Sequence, residues 1–272
     1  MSYSQAGYSP LNSVSVLAYQ RLQVLSVYPR TAISVEWHQP ISEEVNTIKA
    51  ITLYFVRHGE TYFNQFQQFQ GWSDSPLTPT GIQQVQQLAT ALKGLPISGV
   101  YASDLLRSRQ TASIICHHAT WQAGSTHYLS DLREPFYGSF EGQPLTQWEK
   151  IANQHGYQSY EQLVMQFGAD QAQDWLSAAD PSRLAETSTD FWRRLTTGLS
   201  AILSERADQS QLLIISHSAV IRALVARYAP ELLDPVTPAN GRLSQLTLSQ
   251  AAGGGIGVTV NSYNQRGVNA PI

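Results

Sequence analysis

Hydrophobic and polar positions change period several times along this chain, and those changes lay out its elements. Ile51-Thr52-Leu53-Tyr54-Phe55-Val56 is an almost unbroken apolar run rich in aromatic and β-branched residues, with the length of a strand buried on both faces. Ser98–Asp104, Tyr128–Glu134 and Leu212–His217 are shorter segments of the same design, each a short run that stops on a polar residue. Helical spacing takes over between them. Ile82, Val85, Leu88, Ala89 and Leu92 share one helix face, with Gln83, Gln84, Gln86 and Gln87 on the other. Leu105–Ala112 reads as a helix start, Phe191, Leu195, Leu199, Ile202 and Leu203 as the apolar face of a core helix within Thr187–Leu203, and Ser218–Arg227 as a further helix. Strand and helix alternating in this way predict an α/β fold, a three-layer α/β/α sandwich on a mainly parallel sheet.

Two segments break the alternation. Between Gln143 and Arg183, Leu145, Trp148, Ile151, Leu163, Val164, Phe167, Trp175 and Leu176 recur at helical spacing, with Gly156 and Gly168 as breaks. The stretch is too long for a plain connection and is expected to form a helical cap. Near the end, Leu243–Leu248 and Ile256–Val260 flank Gly253-Gly254-Gly255, the pattern of a C-terminal β-hairpin.

Composition narrows the classes. The 272 residues can bury a sizeable core, and a net charge of −3 with no block of basic residues argues against a nucleic-acid or anionic-membrane surface. No apolar run has the length of a transmembrane helix. Cys116 is the single cysteine, which excludes an intramolecular disulfide and fits a reducing, cytoplasmic setting. Met1–Val35 contains no Asp or Glu, only Arg21 and Arg30 as charges, and many Ser, Tyr and Gln. Three readings of that extension stay open: a loosely attached tail, a targeting segment, or sequence upstream of the true start near Val45.

The chemistry gathers where strands stop. The first run ends on Arg57-His58-Gly59, the second leads into Arg107, the third reaches Glu134, and the fourth ends on His217. Ligands of open α/β sheets bind outside the carboxyl ends of strands. Two imidazoles, two guanidiniums and a carboxylate converging there suit a phosphorylated substrate, because guanidinium forks match phosphate oxygens. Gly59 is expected to let the backbone approach the ligand. Blander readings exist: Arg57 and Arg107 as surface ion-pair residues, or a strand-end histidine that is merely structural. A metal held by His58 and His217 is disfavoured by the flanking cations and the lack of a carboxylate cluster. His117 and His118, adjacent on a helix, point in different directions and read as solvated.

In these blocks the chain resembles the histidine phosphatase superfamily, in its phosphoglycerate mutase-like branch. The resemblance rests on Val56-Arg57-His58-Gly59-Glu60-Thr61 with Asn64, on Gln70-Gly71-Trp72-Ser73-Asp74-Ser75-Pro76-Leu77-Thr78 with Gly81, and on Ser103-Asp104-Leu105 with Arg107 and Gln110-Thr111-Ala112. It continues through Glu134, Gly138 and Phe140-Glu141-Gly142, and closes with Ser216-His217 and Val220-Ile221-Arg222-Ala223-Leu224. It implies one catalytic domain over 48–265 with the cap at about 143–183, flanked by the extension 1–47 and a tail 266–272. It also implies His58 as a nucleophile forming a phosphohistidine, with its other nitrogen donating to a backbone carbonyl. Arg57, Arg107 and His217 would hold the phosphoryl oxygens, with Asn64, Gln70, Gly71 and Ser218 as further phosphate or substrate contacts. Glu134 would be the general acid and base, ahead of Glu141, which lies past Gly138 in a loop expected to shape the cap. No cofactor and no metal is implied.

Departures from the family pattern choose among its activities. Ser218 stands where a glycine usually follows the second histidine. Pro135-Phe136-Tyr137-Gly138 replaces the Arg-His-Tyr-Gly that mutases carry after the acid, and Gln70 stands where mutases tend to have a threonine. These changes favour a metal-independent phosphatase acting on a small phosphorylated substrate over a cofactor-dependent phosphoglycerate mutase. A non-catalytic binding module on the same fold is the third reading, set against the complete set of reactive residues. A homo-oligomer is compatible with the sequence.

Overall fold

A computed structural model describes residues 48–267 apart from 120, 122, 235, 236, 252 and 254, so the expectations for the 1–47 extension and most of the 266–272 tail lie outside the described residues. Its frame is a six-stranded sheet built from β1 (Ala50–Arg57), β2 (Gly99–Ser103), β3 (His127–Leu129), β4 (Gln211–Ser216), β5 (Leu243–Gln250) and β6 (Ile256–Gln265), in the spatial order β3-β2-β4-β1-β5-β6. The pairs β1–β4, β2–β4 and β2–β3 are parallel, and β1–β5 and β5–β6 are antiparallel. The expected mainly parallel sheet and terminal hairpin are both present. Besides α1 (Tyr62–Gln65), the helices are α2 (Pro79–Leu92), α3 (Leu106–Ala119), α4 (Thr146–Gln154), α5 (Tyr160–Ala179), α6 (Ser188–Glu205) and α7 (Ser218–Tyr228).

The continuous apolar character of β1 and β4 has a direct cause. Side chains alternate between faces, and both faces are covered. Ile51, Leu53 and Phe55 with Leu212 and Ile214 pack against Phe191, Leu195, Leu199 and Ile202 of α6 and Ile221 and Leu224 of α7. Tyr54 and Val56 with Leu213 and Ile215 pack against Val85, Leu88 and Leu92 of α2 and Ala112 and Ile115 of α3. These two clusters are the outer interfaces of the sandwich, and each fully buried aliphatic side chain contributes roughly 1.5–3 kcal/mol.

Local signals set the helix starts. Thr78 accepts from the Gly81 amide ahead of Pro79 at the first turn of α2, and Thr187 accepts from the Asp190 amide at the start of α6. The cap is α4 and α5, separated near Gly156, with α5 kinked at Gly168, whose backbone is non-helical. It has a core of its own: Phe69, Tyr137, Phe140, Trp148, Ile151, Leu163, Val164 and Leu176. Among the described residues, no helix is long and apolar enough to cross a membrane.

A buried carboxylate ties the end of the cap to the loop after Glu134. Asp180 accepts from the amides of Ser139 (3.2 Å), Ser182 (3.1 Å), Leu184 (2.9 Å) and Ala185 (2.9 Å), and from the hydroxyls of Ser139 and Ser182. Burial alone pushes its acidity the other way, yet these donors together hold the group well below the usual carboxylate range. Asp180→Ala should cost roughly 3 kcal/mol at neutral pH, since several buried donors lose their acceptor. Because the folded-state pKa is depressed, the contribution is complete above the unfolded value of about 3.9 and fades as pH falls below it. Denaturant titrations of both proteins should therefore differ at neutral pH and converge in strong acid; a constant difference would show that the carboxylate charge plays no part.

Candidate active site

Strand register brings the two histidines together. Parallel β1 and β4 align Arg57 opposite Ser216, so His58 and His217 leave adjacent strand ends side by side. Their rings lie edge to face with centroids 5.2 Å apart, and the His58 amide donates to the Ser216 carbonyl at 3.2 Å. On the far side of β4, β2 turns into α3 and delivers Arg107 from the helix's first turn.

His58 is fixed as one tautomer by its partners. Nδ1 lies 2.8 Å from the Gly59 carbonyl, which can only accept, so Nδ1 carries the proton. Arg107 Nε–H, which can only donate, points at His58 Nε2 at 3.2 Å, so Nε2 offers its lone pair. Burial first, then the charges of Arg107 and Arg57, hold His58 well below the usual imidazole range. His217 is depressed for the same leading reason. Its Nε2 sits 3.4 Å from the Ser108 hydroxyl, and its Nδ1 is buried without a hydrogen-bond partner among the described residues.

Arg107 is fully enclosed and every one of its N–H groups is engaged. Beyond His58, Nη1 donates to the Ser73 carbonyl (3.0 Å) and Asp74 Oδ1 (3.1 Å), and Nη2 to the carbonyls of Gln70 (3.2 Å) and Gly71 (2.8 Å). The loop 70–74 is therefore a cradle for this guanidinium. Glu141 in turn holds the loop, accepting from the amides of Gly71 (3.1 Å), Trp72 (2.8 Å) and Ser73 (3.0 Å), from the Ser73 hydroxyl, and from the Tyr137 amide (3.1 Å). The loop past Gly138 does pack into the cap, through Phe140 and the Ser139–Asp180 contact, and the Glu141 carboxylate within it braces the Arg107 cradle as well.

A cavity of about 430 Å³ opens above this layer, lined on its inner side by Arg57, His58, Asn64, Gln70, Glu134 and Ser218, and on its outer side by cap residues. Arg57 donates from Nη1 to the Pro238 carbonyl at 2.5 Å and keeps a buried Nε with no partner among the described residues. Burial brings its pKa down to about 10, so it remains a cation at neutral pH. Glu134 follows a 3-10 turn (Ser130–Leu132) rather than sitting at the strand end itself, because β3 stops at Leu129. Its carboxylate receives the Ala219 amide at 3.2 and 3.1 Å and the Ser218 hydroxyl at 3.2 Å, at the first turn of α7. Burial raises its pKa against the opposing pull of Arg107 and those donors.

Several sequence-selected residues have a different local setting from the one expected. Gly59 is tight against α2, not open to the cavity: a side chain there would strike the Gly81 carbonyl and Val85. Gly71 is not in the cavity lining, and a side chain on it would collide with Glu141 and the Pro135 carbonyl. The Gln70 side chain accepts from Thr61 Oγ1 (2.6 Å) and donates to Ser75 Oγ (3.1 Å). Ser218 spends its hydroxyl on Glu134. Arg107 and His217, both fully buried, lie beside His58 and outside the cavity lining.

Two supporting residues escaped the sequence reading. Arg194 of α6 donates to the backbone carbonyls of Asp131 (3.0 Å), Arg133 (2.7 Å) and Glu134 (3.0 Å) while paired with Glu186 (2.7 Å), which fixes the segment carrying Glu134. Its place three residues after Phe191 on an apolar helix face was the available signal. Asn240 donates to the His58 carbonyl (3.0 Å) and to Asn64 Oδ1 (3.1 Å), from a loop with no periodicity to reveal it.

Comparison with known proteins gives a consistent family. The histidine phosphatase superfamily (branch 1) profile matches residues 53–261. The chain is 32% identical over 179 residues to the broad-specificity phosphatase YOR283W of Saccharomyces cerevisiae, covering 64% of this chain and 69% of that one. A probable phosphoglycerate mutase, GpmB of Escherichia coli, is 52% identical over 65 residues, 24% of this chain and 30% of its own length. Among solved structures, a phosphoglycerate mutase from Bacillus anthracis superposes with a TM-score of 0.67 at 26% identity, over 80% of this chain and 95% of that one.

The bracing by Glu141 is testable without any assay of turnover. Glu141→Ala leaves the amides of Gly71, Trp72, Ser73 and Tyr137 without their acceptor, and should cost roughly 3 kcal/mol. Hydrogen exchange at those amides should accelerate by more than tenfold while exchange in β1 and β4 changes little. Unaltered protection at 71–73 would show that the loop is held by something else.

Proposed function

We propose that this chain, which belongs to the histidine phosphatase superfamily (branch 1), is a metal-independent phosphatase that hydrolyses small phosphomonoesters through a phosphohistidine on His58. The observation that carries the reading is the His58 imidazole, neutral, with its Nε2 lone pair facing a guanidinium at the edge of a cavity. A phosphoryl group approaching Nε2 necessarily comes within reach of Arg107 Nε, which can exchange the imidazole lone pair for a phosphoryl oxygen. Arg57 Nε is a second donor without a partner, and His217 Nδ1–H a third if Ser108 donates to Nε2. These supply positioning and charge stabilisation, which is most of what phosphoryl transfer requires.

Two steps follow. His58 Nε2 attacks phosphorus, the ester P–O bond breaks, and protonated Glu134 gives its proton to the departing alkoxide. Water then attacks the phosphohistidine, Glu134 takes a proton from it, and the N–P bond breaks to release phosphate and free His58. The raised pKa of Glu134 suits the first step, and the Ala219 amide and Ser218 hydroxyl suit the carboxylate needed for the second. Glu141 is already committed to five donors, which supports Glu134 as the acid. Phosphatase is favoured over mutase by the Gln70 amide, spent on Thr61 and Ser75, and by Phe136, packed on Trp72 with ring centroids 5.1 Å apart. The longer match, to the yeast broad-specificity phosphatase, points the same way. A cytoplasmic setting suits a chain with a single, half-buried cysteine.

Purified protein should release phosphate from phosphomonoesters unchanged by EDTA, and His58→Ala should abolish release while staying folded by circular dichroism. Activity that EDTA removes and Mg²⁺ restores would overturn the mechanism, and isomerisation of 3-phosphoglycerate faster than phosphate release would overturn the phosphatase assignment.

The pH dependence follows from the two shifts. His58 is unprotonated well into acid, and Glu134 is protonated up to its raised pKa, so kcat/KM for an alkyl phosphate should be highest on the acid side of neutrality and fall as Glu134 ionises. Glu134→Gln should lower the rate for alkyl phosphates by about 10²–10⁴-fold, spare p-nitrophenyl phosphate more, and remove that alkaline limb. An unchanged limb in Glu134→Gln would assign it to another group.

A further inference from the structure

We infer that the cap selects phosphomonoesters whose alcohol is uncharged and partly apolar, and rejects those bearing a second anionic group, with Glu149 and Glu161 as the specificity-determining residues. The inference rests on the phosphatase reading of the same cavity and adds its substrate class.

The cavity has two chemically distinct ends. Cationic Arg57 and neutral His58 stand at the inner end, with the amide of Asn64 and the hydroxyl of Ser218. The outer end is walled by Phe69, Tyr137, Trp148 and Tyr160, with the Trp148 and Tyr160 ring centroids 4.4 Å apart. Glu149, in the first turn of α4, and Glu161, in the first turn of α5, add two carboxylates to that wall. Neither has a hydrogen-bond or ion-pair partner among the described residues, so their charges are uncompensated in the cavity.

No lysine or second arginine lines the outer end among the described residues. Arg107 is committed to the 70–74 cradle. Arg222, another buried guanidinium nearby, has three nitrogens without hydrogen-bond partners among the described residues, but it packs on the ring of Tyr160, its Cζ 5.8 Å from the centroid, and is not in the lining. A substrate whose phosphate occupies the inner end therefore places its alcohol against aromatic faces, the amides of Gln67 and Gln68, and two negative charges. Aromatic rings and amides suit a polyol or ring system. A carboxylate or second phosphate meets like charge and no counter-ion, a penalty in a solvent-open cavity of about tenfold for two carboxylates at contact range.

The test uses a matched pair of ligands differing at one carbon: glycerol 3-phosphate, which ends in a hydroxymethyl group, and 3-phosphoglycerate, which ends in a carboxylate. Calorimetric titration of the full chain carrying His58→Ala, inert to turnover, should give glycerol 3-phosphate at least about tenfold tighter binding. Adding Glu149→Gln and Glu161→Gln together should bring the ratio to within about twofold, and each alone should move it part of the way. Equal affinities, tighter binding of 3-phosphoglycerate as if Tyr160 yields to expose Arg222, a ratio unmoved by the two substitutions, or no binding of glycerol 3-phosphate would each overturn the inference. Turnover of glycerol 3-phosphate by the wild-type chain is measured separately: its absence would sink the phosphatase reading, while the binding ratio would still judge the selectivity.

Discussion

The hydrogen bond from Arg107 Nε to His58 Nε2 is the contact around which the site is built. A guanidinium cannot accept and does not lose its proton at ordinary pH, so a nitrogen facing it at 3.2 Å must be bare. The Gly59 carbonyl fixes the proton on the opposite nitrogen. Placing a buried cation there is costly, and much of the surrounding loop structure answers that cost. Gln70, Gly71, Ser73 and Asp74 supply the acceptors that let Arg107 stay charged without water, and Glu141 locks their backbone in place.

The sheet makes that contact possible. Parallel strands in register put His58 and His217 next to each other, and inserting β4 between β1 and β2 places Arg107 at the same end of the sheet. Glu134 follows β3 at the edge of the sheet, on a segment pinned by Arg194, and its carboxylate meets the first turn of α7. Its acidity is set by opposed effects, burial against helix-terminal donors and arginines, which leaves a group able to hold a proton and to give it up. The cap adds the Asp180 tether and an aromatic core that includes Phe69 and Phe140, the neighbours of Gln70 and Glu141 in the Arg107 cradle.

Much of this was legible in the sequence because it is written in period and in strand ends. Nearly unbroken apolar runs mark β1 and β4, and spacing of three and four marks α2 and α6. The family pattern picks out residues that the fold brings together, Arg57, His58, Arg107, Glu134 and His217, but not how their neighbours use them. The sequence pattern points Gly59, Gly71 and Ser218 toward the ligand, whereas Gly59 and Gly71 serve close packing and Ser218, which does line the cavity, donates its hydroxyl to Glu134. Such assignments depend on which of several nearby groups a backbone passes, and no local pattern encodes that. Arg194 and Asn240 were missed for the same reason: their partners are distant backbone carbonyls, and an arginine on an amphipathic helix looks like a solvated one. Glu141 was weighed for proton transfer, when its five donors make it a brace.

The central claim is a protonation state, and it can be observed directly. Nitrogen-15 NMR of the histidine rings distinguishes the two neutral tautomers and the imidazolium. Buried beside two arginines, His58 should give the neutral Nδ1–H form at neutral pH, with no protonation through the range where a free imidazole titrates. A proton on Nε2, or an imidazolium at neutral pH, would mean that the nitrogen assigned to attack phosphorus has no lone pair to offer, and the account would be wrong at its base.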